Sequence, residues 1–213
     1  MKAADKVTSI RIVLAPIFFA LYAFTRPVYD TVTNSGHWWS VPVLWIILIV
    51  AELTDMLDGK IARKRGEVSD FGKFYDPFAD TLTQITFFFC FVWDGILPLV
   101  PFLLVLYREF GILFIRNLML KKGISMGARL GGKIKTVAYI IAAILALGVS
   151  SLERLFPLWL KAGFDAELHN RLRSGLSLAA GAVFCAAVLV ALLSFADYIR
   201  VYRNSPAGTD KKA

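Results

Sequence analysis

The sequence holds only two cysteines, Cys90 and Cys185, and both fall inside apolar runs. Neither has a CxxC partner or a Cys/His neighbour, which argues against a disulfide framework and against a zinc site. The chain also lacks a polar domain between its apolar runs, an internal repeat, and a linker that would divide it. Its first apolar run follows Lys2, Lys6 and Arg11, but no A-x-A site closes the run. A retained first span is therefore expected, not a cleaved signal peptide.

What is present is hydrophobic. Of 213 residues, 57% are hydrophobic and the mean hydropathy is +0.62, against about 45–50% apolar residues in soluble domains. The expectation is an all-α integral membrane protein, with one membrane domain over residues 1–204 and a polar, disordered tail over 205–213. A spanning helix needs about 20 mostly apolar residues. Six stretches qualify, at 8–26, 39–58, 74–94, 96–119, 133–151 and 174–202. The segment 152–173 mixes "LERLFPLWL" with charges and reads as a short amphipathic surface helix or a plain loop.

The net charge of +8 would raise nucleic acid as a partner for a soluble protein. Here the basic residues cluster in short loops between apolar runs, which argues against that partner and orients the chain instead. Both termini and the loops near 59–73 and 120–132 carry 19 of the 24 Lys and Arg, with their adjoining helix ends. The other side holds Arg26, Arg154, Lys161, Arg171 and Arg173. The crowded side is expected to be cytoplasmic, in a multi-pass membrane protein. Trp38, Trp39, Trp93 and Trp159 then fall at the outer interface.

Residues 54–80 read "TDMLDGKIARKRGEVSDFGKFYDPFAD". Asp55 and Asp58 are spaced i,i+3 at the end of the second span, and Asp76 and Asp80 are spaced i,i+4 at the start of the third. Each pair lies on one helix face. The second and third spans, joined by a short loop, are expected to be neighbours whose acidic faces meet. An unpaired Asp at the centre of a membrane helix costs about 2.5–3.5 kcal/mol, so one or two cations would offset the burden. An oxygen-only ligand set favours Mg²⁺, Mn²⁺ or Ca²⁺ over zinc. The plainer alternative is pairing with Lys60, Arg63, Lys64 and Arg65. Gly59, Ala62 and Gly72 leave backbone exposed where a ligand could approach, and Arg63 suits a phosphate oxygen. Phosphoryl-type transfer on a lipid follows as the expected chemistry.

The pattern Asp55-x-x-Asp58-Gly59-x-x-Ala62-Arg63, eight residues, Gly72-x-x-x-Asp76-x-x-x-Asp80 resembles the signature of the CDP-alcohol phosphotransferases at every defining position. The resemblance implies a six-transmembrane-helix bundle, commonly a homodimer, with a cytoplasm-facing active-site cavity. It implies that Asp55, Asp58, Asp76 and Asp80 hold two divalent cations, Mg²⁺ or Mn²⁺. Asp58, Gly59, Ala62, Arg63 and Gly72 would contact the nucleotide, and Asp80 would be the catalytic base for the acceptor hydroxyl.

Arg108, Glu109 and Arg116 lie within the fourth span in "LYREFGILFIRNLML", and Lys133 and Lys135 open the fifth in "GGKIKT". Four cations converging near the acids suit an acceptor that bears a phosphate. The alternative is that they are interface anchors reaching toward headgroups. These stretches, with "DPFAD" and "TSIRIVLAP" (Thr8, Arg11, Pro16), are similar to family members that use CDP-diacylglycerol and sn-glycerol 3-phosphate. By that resemblance Arg108, Arg116, Lys133 and Lys135 bind the acceptor phosphate. The pattern departs from that subfamily at Asp5, Glu52 and Thr81. The rival acceptor is inositol phosphate, followed by serine or choline. A cation transporter is a distant alternative, since transporters bind near the midplane in repeated halves and this chain has one acidic cluster at one end.

Overall fold

A computed structural model describes residues 3–26, 37–65, 70–121 and 130–204. Within these, side chains are described at 8–26, 37–55, 72, 75–119 and 134–204. Among the described residues the regular structure is all helical, with six helices and no strand. These are α1 (Ala3–Phe24), α2 (Ser40–Arg65), α3 (Asp70–Trp93), α4 (Leu99–Lys121), α5 (Leu130–Lys161) and α6 (Ala166–Asn204). The tail 205–213 lies outside the described residues.

Helix ends follow local chemistry. Gly95 and Gly163 have φ of 70° and 78° and end α3 and α5. In both turns the glycine N–H bonds three residues back, Gly95 to Val92 and Gly163 to Leu160. The next N–H bonds five back, Ile96 to Phe91 and Phe164 to Trp159. A left-handed glycine satisfies the last carbonyls of a helix in this way. Asp165 then caps α6, its Oδ1 accepting from the Glu167 N–H at 2.9 Å.

The segment 152–173 is therefore neither a separate amphipathic helix nor a plain loop. It is the corner of a helical hairpin, with α5 running on to Lys161 and α6 starting at Ala166. Arg173 donates to Glu153 at 2.6 Å and His169 meets the Leu152 carbonyl at 3.1 Å, tying the arms together. The loop expected at 59–73 also differs. Helix α2 continues through "GKIARKR" to Arg65, because straight-chain Lys and Arg keep a helix going after apolar residues stop.

The core runs between all six helices. Phe18 packs on Phe87 with ring centroids 4.4 Å apart, and Phe88 sits 4.8 Å from Phe184 and 5.2 Å from Tyr139. Helices α5 and α6 pack extensively on each other, and both carry small buried residues, Ala142, Ala143 and Ala146 on α5 and Ala180, Ala187 and Ala191 on α6. Small residues let helix backbones approach closely where dispersion drives the packing. Gly111 of α4 serves the same end, since a Cβ there would lie 2.7 Å from Phe195 Cζ of α6.

Helix α1 packs against both α2 and α3, whereas direct contact between α2 and α3 among the described residues is at most slight. The expected pairing of the two acidic helices is thus mediated by a third helix. Helices Ile134–Lys161 and Ala166–Asn204 are long and apolar enough to cross a membrane, and Thr8–Phe24 is a shorter apolar helix. Leu178, Leu189, Leu193, Val100 and Phe114 point outward and are well exposed, as lipid-facing side chains would be. These features are consistent with a membrane protein.

Candidate active site

Three of the four signature carboxylates meet on one cavity. Asp55 at the last apolar turn of α2 and Asp76 and Asp80 in the first half of α3 line a space of about 290 Å³. Its far wall comes from Arg108, Glu109 and Arg116 of α4, Lys135 of α5 and Tyr198 of α6. Six expected site residues, three anionic and three cationic, are thereby drawn together from four helices. The side chains of Asp58, Gly59, Ala62, Arg63 and Lys133 lie outside the described residues. Gly72 is buried.

The anionic wall is held from α1. Arg11 Nη1 donates to Asp55 Oδ1 at 2.6 Å and to Asp80 Oδ1 at 2.9 Å. Thr8 Oγ1 donates to Asp76 Oδ1 at 2.6 Å. Ser9 and the Tyr75 hydroxyl, 3.0 Å apart, add a further tie between α1 and α3. Arg11 is 1% exposed, while the Asp55 and Asp80 side chains are 37% and 40% exposed. The carboxylates are thus gripped by buried side chains of α1 and open toward the cavity.

The cationic wall is organised by Glu109. Its Oε1 accepts from Arg108 Nη1 at 2.8 Å and from Lys135 Nζ at 2.8 Å. All three groups are buried. Arg108 Nε also reaches the Ala191 carbonyl of α6 at 3.2 Å, and Lys135 Nζ lies 4.8 Å from the Tyr139 ring centroid. Arg116 rests against Tyr198, with Nη2 3.4 Å from its hydroxyl and the guanidinium 5.7 Å from its ring centroid. The buried Arg116 Nε finds no hydrogen-bond partner among the described residues. Two cations share one anion, and Arg116 has donor capacity left, so this wall carries surplus positive charge suited to a phosphate.

Sequence reasoning did not assign Thr8, Arg11 or Tyr198 to the site. Arg11 had a visible signal, a charge within an apolar run, where charges are functional by default. Tyr198 had none, because a tyrosine near a helix end is ordinary.

A hard divalent cation fits the donor set. The donors are carboxylate oxygens with no His or Cys among the cavity residues, the set that Mg²⁺ and Mn²⁺ take. Among the described residues no three His, Cys, Asp or Glu side chains form a ready-made ligand cluster, and Asp58 lies outside that description.

The family profile of CDP-alcohol phosphatidyltransferase matches residues 1–166. The chain belongs to the CDP-alcohol phosphatidyltransferase family and is an enzyme of that class. The family uses a CDP-alcohol and an alcohol acceptor and is generally divalent-cation dependent. Among relatives, the CDP-diacylglycerol–glycerol-3-phosphate 3-phosphatidyltransferase of Treponema pallidum (strain Nichols) is 38% identical over 209 residues, covering 95% of this chain and 89% of the relative. The protein of the same name from Bacillus subtilis (strain 168) is 35% identical over 142 residues, covering 65% of this chain and 72% of the relative.

Proposed function

We propose that this protein transfers the phosphatidyl group of CDP-diacylglycerol to sn-glycerol 3-phosphate, giving phosphatidylglycerophosphate and CMP. The observation that carries the reading is the single cavity walled by Asp55, Asp76 and Asp80 on one side and by Arg108, Arg116 and Lys135 on the other. One wall suits a pyrophosphate neutralised by divalent cations, and the other suits a phosphorylated acceptor. The names of the relatives point to the same acceptor.

In this reading Asp55, Asp58, Asp76 and Asp80 hold two divalent cations, Mg²⁺ or Mn²⁺. When bound, these supply charge stabilisation for the pyrophosphate and the departing CMP. Gly59, Ala62, Arg63 and Gly72, with Asp58, contact the nucleotide. Arg108, Arg116, Lys133 and Lys135 bind the acceptor phosphate and aim its hydroxyl. Asp80 accepts the hydroxyl proton as the acceptor oxygen bonds to the phosphorus bearing the lipid. The bond from that phosphorus to CMP breaks, and CMP departs with the bonding pair. Most of the rate gain in such a site comes from positioning and preorganised charge.

The same reading places six spans in the bacterial inner membrane, with both termini and the cavity cytoplasmic and with a homodimer as the assembly. The basic residues assigned to the outer side support that orientation. Arg26 donates to Asp94 at 2.5 Å, Arg171 to Glu167 at 2.6 Å and Arg173 to Glu153 at 2.6 Å. These pairings are local, and the orientation rests on the count: five of the 24 Lys and Arg are assigned to the outer side, and the positive-inside rule reads Lys and Arg numbers.

The test is CMP release by purified protein in detergent with CDP-diacylglycerol and Mg²⁺ or Mn²⁺, each acceptor being supplied in turn. Release is expected with sn-glycerol 3-phosphate and not with inositol phosphate, serine or choline. Asp80→Asn should lower turnover by about 10²–10⁴-fold, the usual share of a general base. Release with a different alcohol alone would overturn the acceptor assignment. Near-normal turnover in Asp80→Asn would overturn the role of Asp80.

A further inference from the structure

We propose that α1 is the orienting element of the divalent-cation site, with Thr8 and Arg11 as positioning residues for the carboxylates of α2 and α3. The proposal rests on the reading of Asp55, Asp76 and Asp80 as cation ligands given above.

Thr8 and Arg11 are spaced i,i+3 and so share one face of α1. From that face, three hydrogen bonds fix three carboxylates on two other helices. Thr8 Oγ1 holds Asp76 Oδ1, and one nitrogen, Arg11 Nη1, holds both Asp55 Oδ1 and Asp80 Oδ1. Thr8 and Arg11 are 0% and 1% exposed, so water does not compete for their donors. In each contact one carboxylate oxygen is engaged by α1. A carboxylate offers two oxygens and about four lone-pair sites, so the second oxygen stays available to a cation.

The helix packing requires such a device. Direct contact between α2 and α3 is at most slight among the described residues, whereas α1 packs on both. Without α1, mutual repulsion between Asp55 and Asp80 would act on two helices with little to hold their spacing. A guanidinium nitrogen between the two carboxylates offsets that repulsion and sets their separation. Partners that orient metal ligands typically change metal affinity by 10–100-fold when removed.

The test is Mn²⁺ binding to the full-length protein in detergent without nucleotide, read from the electron paramagnetic resonance signal of free Mn²⁺. Thr8→Val removes the donor at nearly constant volume and with no change of charge. Arg11→Lys keeps the charge but replaces the planar fork with a point charge. Each is expected to weaken Mn²⁺ binding roughly tenfold, and Thr8→Ser is expected to restore it. A purely structural or purely electrostatic role predicts unchanged affinity in both variants. Should Arg11→Lys fail to fold, the Thr8→Val and Thr8→Ser pair decides alone.

Wild-type affinity in folded Thr8→Val overturns the proposal. Asp55→Asn, measured alongside, separates the two layers of the argument. If Asp55→Asn loses Mn²⁺ while Thr8→Val does not, the cation site stands and the role of α1 falls. If Asp55→Asn binds as wild type does, the cation site falls and this proposal falls with it.

Discussion

Glu109→Gln is the most informative single change in the cavity. Among the described residues, Glu109 Oε1 is the anionic atom that both Arg108 Nη1 and Lys135 Nζ reach, each at 2.8 Å. The three side chains are 4%, 10% and 6% exposed for Arg108, Lys135 and Glu109, so water screens the cluster little. Removing one partner of a buried ion pair costs about 3–5 kcal/mol, because a buried charge is left uncompensated. The Gln carbonyl still accepts one hydrogen bond, which returns about 1 kcal/mol. The expected loss is therefore about 2–4 kcal/mol. At roughly 2–4 °C per kcal/mol for a chain of this size, the melting temperature of the detergent-solubilised protein should fall by roughly 4–16 °C.

The acceptor should reverse much of that loss. A phosphate dianion placed between Arg108, Arg116 and Lys135 would supply the negative charge that Gln lacks. Saturating sn-glycerol 3-phosphate should then raise the melting temperature of Glu109→Gln by more than it raises that of the wild type, since a ligand stabilises by its affinity for the folded state. Differential scanning fluorimetry with and without the acceptor reads both effects. A melting temperature equal to wild type would refute the claim that Glu109 compensates the two cations. A normal melting loss without an enhanced acceptor effect would refute the placement of the acceptor phosphate on this wall.

Two further changes test parts of the fold. Gly111→Ala puts a Cβ 2.7 Å from the Phe195 ring, so α4 and α6 must separate or the ring must turn. Overpacking of this kind costs about 1–3 kcal/mol. The loss should appear as a lower melting temperature that Phe195→Leu in the same chain relieves; no relief would place the strain elsewhere. Arg154→Met addresses the other end of the bundle, about 29 Å along α5 from Lys135 at 1.5 Å per residue. Arg154 is 2% exposed, bonds the Ser150 hydroxyl and the Tyr22 carbonyl, and stacks on the Tyr22 ring at 4.4 Å. Tyr22 in turn donates to Asp94, which pairs with Arg26. Losing that centre should cost about 3 kcal/mol through hydrogen bonds to a charged group, while CMP release per folded molecule stays unchanged; a fall in kcat would show coupling between the two ends.

Much of the site was legible because its chemistry is local in the chain. Asp55 with Asp58 and Asp76 with Asp80 declare a shared helix face by spacing alone, and charges in the apolar run around Arg108 declare themselves by their cost in a membrane. The corner at 152–173 was less legible. Its charges, Glu153, Arg154 and Arg173, suggested a surface segment, yet Glu153 and Arg154 are buried by partners on other helices. The loop expected near 59–73 is partly helical for a similar reason, with α2 running on to Arg65: a polar stretch marks where apolar burial stops, which is not where the backbone hydrogen bonds stop.

By itself the sequence determined the helical class, the family signature and the presence of carboxylates and cations in quantities that need each other. Those properties depend on residue type and on spacings of three or four, which a helix converts directly into a face. Only the tertiary structure decided that α1 stands between α2 and α3, that Arg11 joins Asp55 to Asp80, and that one oxygen of Glu109 serves both Arg108 and Lys135. It also brought Tyr198, 82 residues along the chain, against Arg116. Which charge compensates which depends on distances between helices far apart in sequence, and side-chain packing across the whole bundle sets those distances.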